Sequence, residues 1–365
     1  MLTLAQALAE QQVHVEVVAP AAADLAPYEV LDGVPVHRFR YAPRSWERLA
    51  YTGTMAETVG GTVTGKIALG GYLLGQGRAA RRVAKRSGAQ LVHAHWWFPA
   101  GVVAARVLRR YPKVVTLHGS DVRLAVRRKW AHPLFRSVIR RAAAVTVVSS
   151  WLAEQARGMV EGEQPIVSPM PVNTRFFHPP RSGRSSDAIL FVGRLNRQKG
   201  LHLLLHALSA PQLRARLGVV GDGPDASALR DQAESLGIAQ RITWHGALPQ
   251  PQLVRLYQQA AAVVIPSVDE GLGLVGVEAQ LCETPVIAFA SGGLSDVIID
   301  GATGLLIPPG DVGALAKAID RLLRDASMRA SLGAAGRARA LATFSPDVVA
   351  KRYADLYRRV LGHVA

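Results

Sequence analysis

A chain of 365 residues is long for a single core and fits two domains of ordinary size. Its 49% hydrophobic and 19% charged content excludes a disordered chain. The formal net charge of +16 is unevenly spread, and a lone cysteine, Cys282, excludes an internal disulfide and reads as a small buried residue in a reducing compartment.

Between residues 33 and 153 there are 21 lysines and arginines against three acids, Glu47, Glu57 and Asp121. An arginine-biased solvated surface is one reading; an anionic membrane surface and nucleic acid are the others. Apolar residues interleaved with the charges (Trp46, Leu49, Tyr51; Trp130, Leu134, Phe135) favour the membrane, and no nucleic-acid module is recognisable. Residues 1–20 lack a secretory signal, and no run of about 18 uncharged apolar residues is present. The expected location is cytoplasmic, with peripheral contact at the inner face of the membrane.

In chain order, Leu2–Glu10 reads as a short amphipathic helix and residues 13–19 as an alternating strand ending at Pro20. Residues 34–40 form a second strand. A basic, aromatic segment (41–51) follows, then a glycine-punctuated apolar stretch (59–77) read as an acceptor-side helix. Residues 91–97 and 114–121 are strands joined by a helix at 102–110, a parallel crossover whose ligands gather at the strands' carboxyl ends. His118 lies at such an end, with Asp121 just after it as a helix-cap candidate. His93 and His95 share one strand face; with no third ligand at metal spacing, they read as cleft-lining polar residues and not as metal ligands. Residues 143–149 are a further strand, followed by a helix at 151–157. Pro169, Pro171, Pro179 and Pro180 mark a stiff connection and residues 181–186 a polar linker.

The second half opens with a strand at 189–193 that ends at Arg194, with Lys199 and Gly200 shortly after. Two surface cations are ordinary in an arginine-rich chain, but at a strand's carboxyl end between glycines they suit a diphosphate. Residues 217–223 and 242–246 are strands, the second followed by Ala247, Leu248 and Pro249. The stretch SVDEGLGLVGVEAQLCETPVIA (267–288) then places Glu270 in a glycine loop with Gly271 and Gly273. Glu278 falls on a helix over 274–282, and residues 286–289 form a buried strand. The amides of Gly273, Leu274 and Val275 at the helix start suit an anion. Ionised carboxylates only accept hydrogen bonds and so suit hydroxyls. A nucleotide-sugar carries both groups.

EGLGLVGVEAQLCETPVIA with its Glu-x7-Glu spacing, FVGRLNRQKG, the His118-Gly119 segment and GATGLLIPP (301–309) resemble the retaining glycosyltransferases of the GT-B fold, of the glycogen-synthase and mannosyltransferase type. The resemblance runs from about residue 4 to the end. It implies an α/β chain of two Rossmann-like parallel-sheet domains facing a cleft. Residues 1–178 would be the acceptor domain and 187–343 the donor domain. A helix over 346–365 would cross back to the first domain, with the stripe Val348, Val349, Tyr353, Leu356, Tyr357 and Val360. A first strand and glycine-rich loop are implied before Leu2, so the natural start is expected upstream, or the domain is impaired.

The resemblance implies catalytic roles for His118 and Glu270. It implies donor binding by Arg194, Lys199, Leu248, Gly271, Gly273, Leu274, Val275 and Glu278, with Leu248 against the base and Glu278 on the ribose. His95 and Asp121 are placed toward the acceptor. Neither a metal nor another cofactor is expected. Domain closure would bring His118 to Glu270 and Glu278, moving a sugar from a nucleotide diphosphate to a sugar or lipid-linked hydroxyl in surface polysaccharide or glycolipid assembly. The rival readings are a nucleotide-sugar epimerase or hydrolase, and a non-catalytic membrane-associated binding subunit.

Overall fold

The computed structural model describes every residue except 23, 52–54, 158, 160–163, 181–186 and 363–365; the linker expected at 181–186 thus lies outside the described residues. The chain forms two compact units. One comprises Met1–Val148, Leu152–Met170 and Val349–Ala365, the other Ser149–Trp151 and Pro171–Val348.

In the first unit, β1 (Val17–Pro20), β2 (Tyr28–Leu31) and β3 (Val34–Phe39) make a sheet ordered β1-β3-β2. Strand β1 runs parallel to β3 and β2 antiparallel to it. The β2–β3 turn has positive φ at Asp32 (47°) and Gly33 (85°), the two-residue hairpin geometry that Asp-Gly favours. The strand expected at 13–19 joins the ladder only at Val17. Just before it, the Glu16 carboxylate is held by His37 at 2.7 Å and Arg86 at 2.9 Å.

A second sheet in this unit is all parallel, β4 (Val92–His95), β5 (Lys113–Leu117), β6 (Ala144–Val147) and β7 (Ile166–Val167) in sequential order. Strand β5 is buried along its whole length, as an interior parallel strand should be. The last helix, Pro346–Gly362, turns Tyr353 and Tyr357 onto this sheet. His93 Nδ1 lies 2.7 Å from the Tyr357 hydroxyl and its Nε2 lies 2.6 Å from Thr116 Oγ1. Both ring nitrogens are therefore bonded to protein groups, on the last helix and on β5.

In the second unit, β8 (Ala188–Val192), β9 (Arg216–Val220), β10 (Ile242–Gly246), β11 (Ala262–Ile265), β12 (Val286–Phe289) and β13 (Leu305–Ile307) form one parallel sheet ordered β10-β9-β8-β11-β12-β13. The apolar runs AVVI and VIAF are buried at every position because parallel strands are covered on both faces. Phe191, Leu204, Val219, Val264, Ile287 and Ile319 belong to one core. The helix Leu201–Leu208 packs with Val312–Arg324, and Leu274–Leu281 with Ala326–Phe344. The strand order makes β8, β11 and β12 neighbours, so the loops leaving their carboxyl ends meet. Residues from Pro171 onward join this unit, with the Val172 amide donating to the Phe344 carbonyl at 3.0 Å. Among the described residues, no helix is long and apolar enough to cross a membrane.

Candidate active site

In the second unit the site is built where those three loops meet. After β8, Asn196 caps a short 3-10 turn by accepting from the Lys199 amide at 3.1 Å, which fixes Lys199. Its Nζ lies 2.6 Å from Glu270 Oε2, on the loop after β11. The loop after β12 braces Glu270 from behind. The Gly293 amide donates to the Glu270 carbonyl at 2.8 Å, and a Cβ on Gly292 would fall 2.1 Å from that oxygen, so a side chain cannot fit there. Ser291 Oγ accepts from the Asp269 amide at 3.0 Å, and Gln198 Nε2 donates to the Asp269 carbonyl at 3.2 Å.

Gly271 lies in the same loop. Gly273, at φ 91°, starts the helix Leu274–Leu281, whose first amides belong to Leu274 and Val275. Farther along that helix, the Glu278 carboxylate accepts from the Tyr257 hydroxyl at 2.8 Å. Burial pushes the Glu278 carboxyl up to about 7, against the pull of the Tyr257 bond. The two glutamates therefore have different partners. Arg194 is half-buried at the end of β8, and the next residue, Leu195, donates its amide to the Asp222 carbonyl at 2.9 Å. Leu248 follows β10, at the sheet's outer edge.

In the first unit, His95 ends β4 and His118 follows β5. The structure brings them together, with His95 Nδ1 3.0 Å from His118 Nε2. Burial lowers the pKa of His118 to about 3 and holds His95 well below its ordinary value, so both rings are neutral near pH 7 and one nitrogen of the contact donates while the other accepts. The Trp96 ring packs against His118, tilted by 34° with ring centroids 4.6 Å apart. It does so from a backbone of φ 67° and ψ 134°, where a non-glycine residue is strained.

Asp121 is bonded within the first unit. Its Oδ1 accepts from the amides of His118, Gly119 and Val122, each at 3.0 Å, and its Oδ2 from the Trp97 amide at 3.2 Å. Burial pushes its carboxyl up while those four donors pull it down, and burial wins. With both oxygens occupied inside the protein, Asp121 braces the His118 loop. Among the described residues, no group of three or more His, Cys, Asp or Glu is placed to hold a metal ion.

Residues 174–339 match the family model "Glycosyl transferases group 1" and residues 1–169 the model "Glycosyl transferase 4-like domain". The D-inositol 3-phosphate glycosyltransferase of Thermobispora bispora is 33% identical over 309 residues, covering 75% of this chain and 71% of the relative. The chain belongs to the group 1 glycosyl transferases. The enzyme of the same name from Frankia alni is 40% identical over 196 residues, 50% of this chain and 47% of the relative. In that match and the one to Corynebacterium urealyticum, the chain spans about half the length of the relative. Among solved structures, sucrose-phosphate synthase of Thermosynechococcus elongatus superposes with a TM-score of 0.82 at 26% identity, over 99% of this chain and 92% of that one. HepE of Anabaena, in complex with UDP and glucose, superposes at 0.75 and 21% identity, over 98% and 95%. The architecture is therefore GT-B, two α/β units each with a parallel sheet.

For this group 1 glycosyl transferase, sequence reasoning missed Tyr257, Trp96 and the segment Ser291–Gly293. A Gly-Gly pair at the carboxyl end of a buried strand was the available signal for the last. The tryptophan directly after His95 was the signal for Trp96. Tyr257 left none, because 21 residues separate it from Glu278.

Proposed function

We propose that this protein moves a sugar from a nucleoside diphosphate donor to an acceptor hydroxyl with retention at the anomeric carbon. The observation that carries the reading is the Lys199–Glu270 pair at the head of the glycine-started helix. A lysine ammonium has three donors, so one bond to Glu270 leaves two for phosphate oxygens. Arg194 and the helix end add positive charge, enough to stabilise a leaving diphosphate without a metal. Glu270 steadies positive charge at the anomeric carbon, and Glu278 accepts from ribose hydroxyls. Leu248 lies against the base. His118 serves the donor sugar, with Trp96 behind its ring. In a front-face displacement the bond from the anomeric carbon to the diphosphate oxygen breaks and the bond to the acceptor oxygen forms. The acceptor proton passes to the departing phosphate.

The UDP and glucose bound to HepE favour a uridine diphosphate-sugar. The basic first unit favours an acceptor presented at the cytoplasmic face of an anionic membrane, in polysaccharide or glycolipid assembly. The names of the relatives favour a second reading of the acceptor, a soluble inositol phosphate.

The test is product formation from UDP-, GDP- and ADP-sugars with each acceptor class, in EDTA, with the product anomer read by NMR. Glu270→Ala should lower kcat by about 10²-fold or more. An unchanged rate in that variant, or an inverted anomer, overturns the reading. Donor consumption without acceptor would favour an epimerase or hydrolase.

A further inference from the structure

The 24-residue helix Val63–Arg86 spans about 36 Å and carries no acidic residue. Thr62 caps it, accepting from the Gly65 amide at 3.0 Å. One face is fixed to the protein: Ala68 and Tyr72 are buried in a cluster with Phe39, Tyr41 and Leu49. A Cβ on Gly71 would fall 2.0 Å from the Tyr41 carbonyl, so helix and backbone are in direct contact there. The opposite face is therefore held outward.

That outward face has two halves. Val63, Ile67 and Leu74 lie along one stripe at 3.6 residues per turn, and are 72%, 59% and 60% exposed. Arg78, Arg81 and Lys85 continue the same stripe, with Arg82 beside it, and all four are exposed. The turn Arg44–Trp46 packs on this helix, and Trp46 is 40% exposed.

Three occupants can be weighed by chemistry. A second copy of the chain laid on this face would set its cations against cations, and like charges across an interface repel. Nucleic acid would bind the cationic half through phosphates, but its phosphate backbone gives the exposed valine, isoleucine and leucine nothing to pack on. An anionic bilayer takes both halves, since apolar side chains enter the boundary between headgroups and acyl chains while Lys and Arg meet lipid phosphates. We propose that the Val63–Arg86 helix is the face by which this protein lies on an anionic phospholipid surface. The inference deepens the membrane-side reading of the acceptor and rests on it for its purpose.

The experiment is sedimentation of the full chain with phosphatidylcholine vesicles, and with vesicles that also carry phosphatidylglycerol, at low and high salt and without any sugar donor. Wild type should sediment with the anionic vesicles alone, and less at high salt. Ile67→Glu/Leu74→Glu should weaken that binding by about tenfold or more. Arg78→Gln/Arg82→Gln should weaken it several-fold and flatten its salt dependence. Unchanged thermal melting certifies both variants; if the apolar pair melts early, the arginine pair carries the test, because its side chains lie in solvent.

Equal binding to neutral and anionic vesicles, or wild-type binding by the arginine variant, overturns the proposal. So does a lipid-free dimer that these substitutions dissociate, which would assign the face to a second copy. Duplex DNA that displaces the protein from anionic vesicles, and still binds the apolar variant fully, would assign it to nucleic acid. Turnover of a soluble acceptor in the same preparation separates failure of this proposal from failure of the transferase reading.

Discussion

The Glu278 carboxyl is half-buried and accepts from the Tyr257 hydroxyl, and its protonation couples to anything that offers it a hydroxyl. Its folded pKa of about 7 lies above the ordinary 4.5. The folded protein thus holds this proton more tightly than the unfolded chain. Its contribution to stability is fully present below pH 4.5 and is lost as pH rises through about 7. A sugar hydroxyl donates more strongly to the ionised form, so a nucleotide-sugar bound through Glu278 as proposed would favour loss of the proton. The donor's dissociation constant should tighten as pH rises from 6 to 8 and level off above that. Glu278→Gln should flatten the profile. Tyr257→Phe removes the bond that favours the carboxylate and should move the profile to higher pH. Calorimetric titration with a nucleotide-sugar at several pH values measures this, and an unchanged slope in Glu278→Gln would remove Glu278 from the donor site.

The loop that follows β5 depends on Asp121 in the same way that a helix end depends on its cap. Asp121→Ala leaves four amides in a buried setting without their acceptor, a loss of about 1–3 kcal/mol for each that stays unpaired. Asp121→Asn should fall between, because one amide oxygen can still accept while its NH2 opposes the remaining donors. Thermal melting orders the three proteins, and hydrogen exchange should show the loss at residues 117–122. Melting of Asp121→Ala equal to wild type would mean that the loop holds itself. This role was not legible beforehand. An aspartate after His-Gly reads as a helix cap from local spacing, and only the fold shows that the Trp97 amide, 24 positions away, shares it. The glycine-started helix and the strands AVVI and VIAF were legible because each is written in consecutive residues. The hairpin at β2 carried the Asp32-Gly33 signal, but its strand is too weakly alternating to stand out. The Lys199–Glu270 pair joins loops 71 positions apart, so the residues by themselves implied a phosphate site and a hydroxyl site but not their contact.

The two units respond to acid through different groups. In the first unit, burial lowers His93 and His118 to about 3 and His95 well below its ordinary value. A histidine with a depressed folded pKa stabilises fully above its unfolded value near 6.5, and that stability is lost as pH falls toward the folded value. Each such histidine loses its stabilising contribution progressively across that window. Asp121, raised by burial, opposes them, while the Met1 ammonium, lowered by burial, and Glu16, lowered against its burial by His37 and Arg86, act with them. In the second unit, Glu278 gains stability as pH falls from about 7 while His202, lowered by burial, loses it, so the two offset in part. Acidification from pH 7.5 to 5.5 should therefore lower the melting temperature of the first unit much more than that of the second. Calorimetry should show the two transitions moving apart, with hydrogen exchange assigning the earlier one to β4–β6. His93→Gln keeps hydrogen-bonding groups against Tyr357 and Thr116 but cannot titrate, so it should remove part of the first unit's acid sensitivity. A single transition whose midpoint is unmoved by acid would mean that the three rings are hydrated and titrate as they do in the unfolded chain.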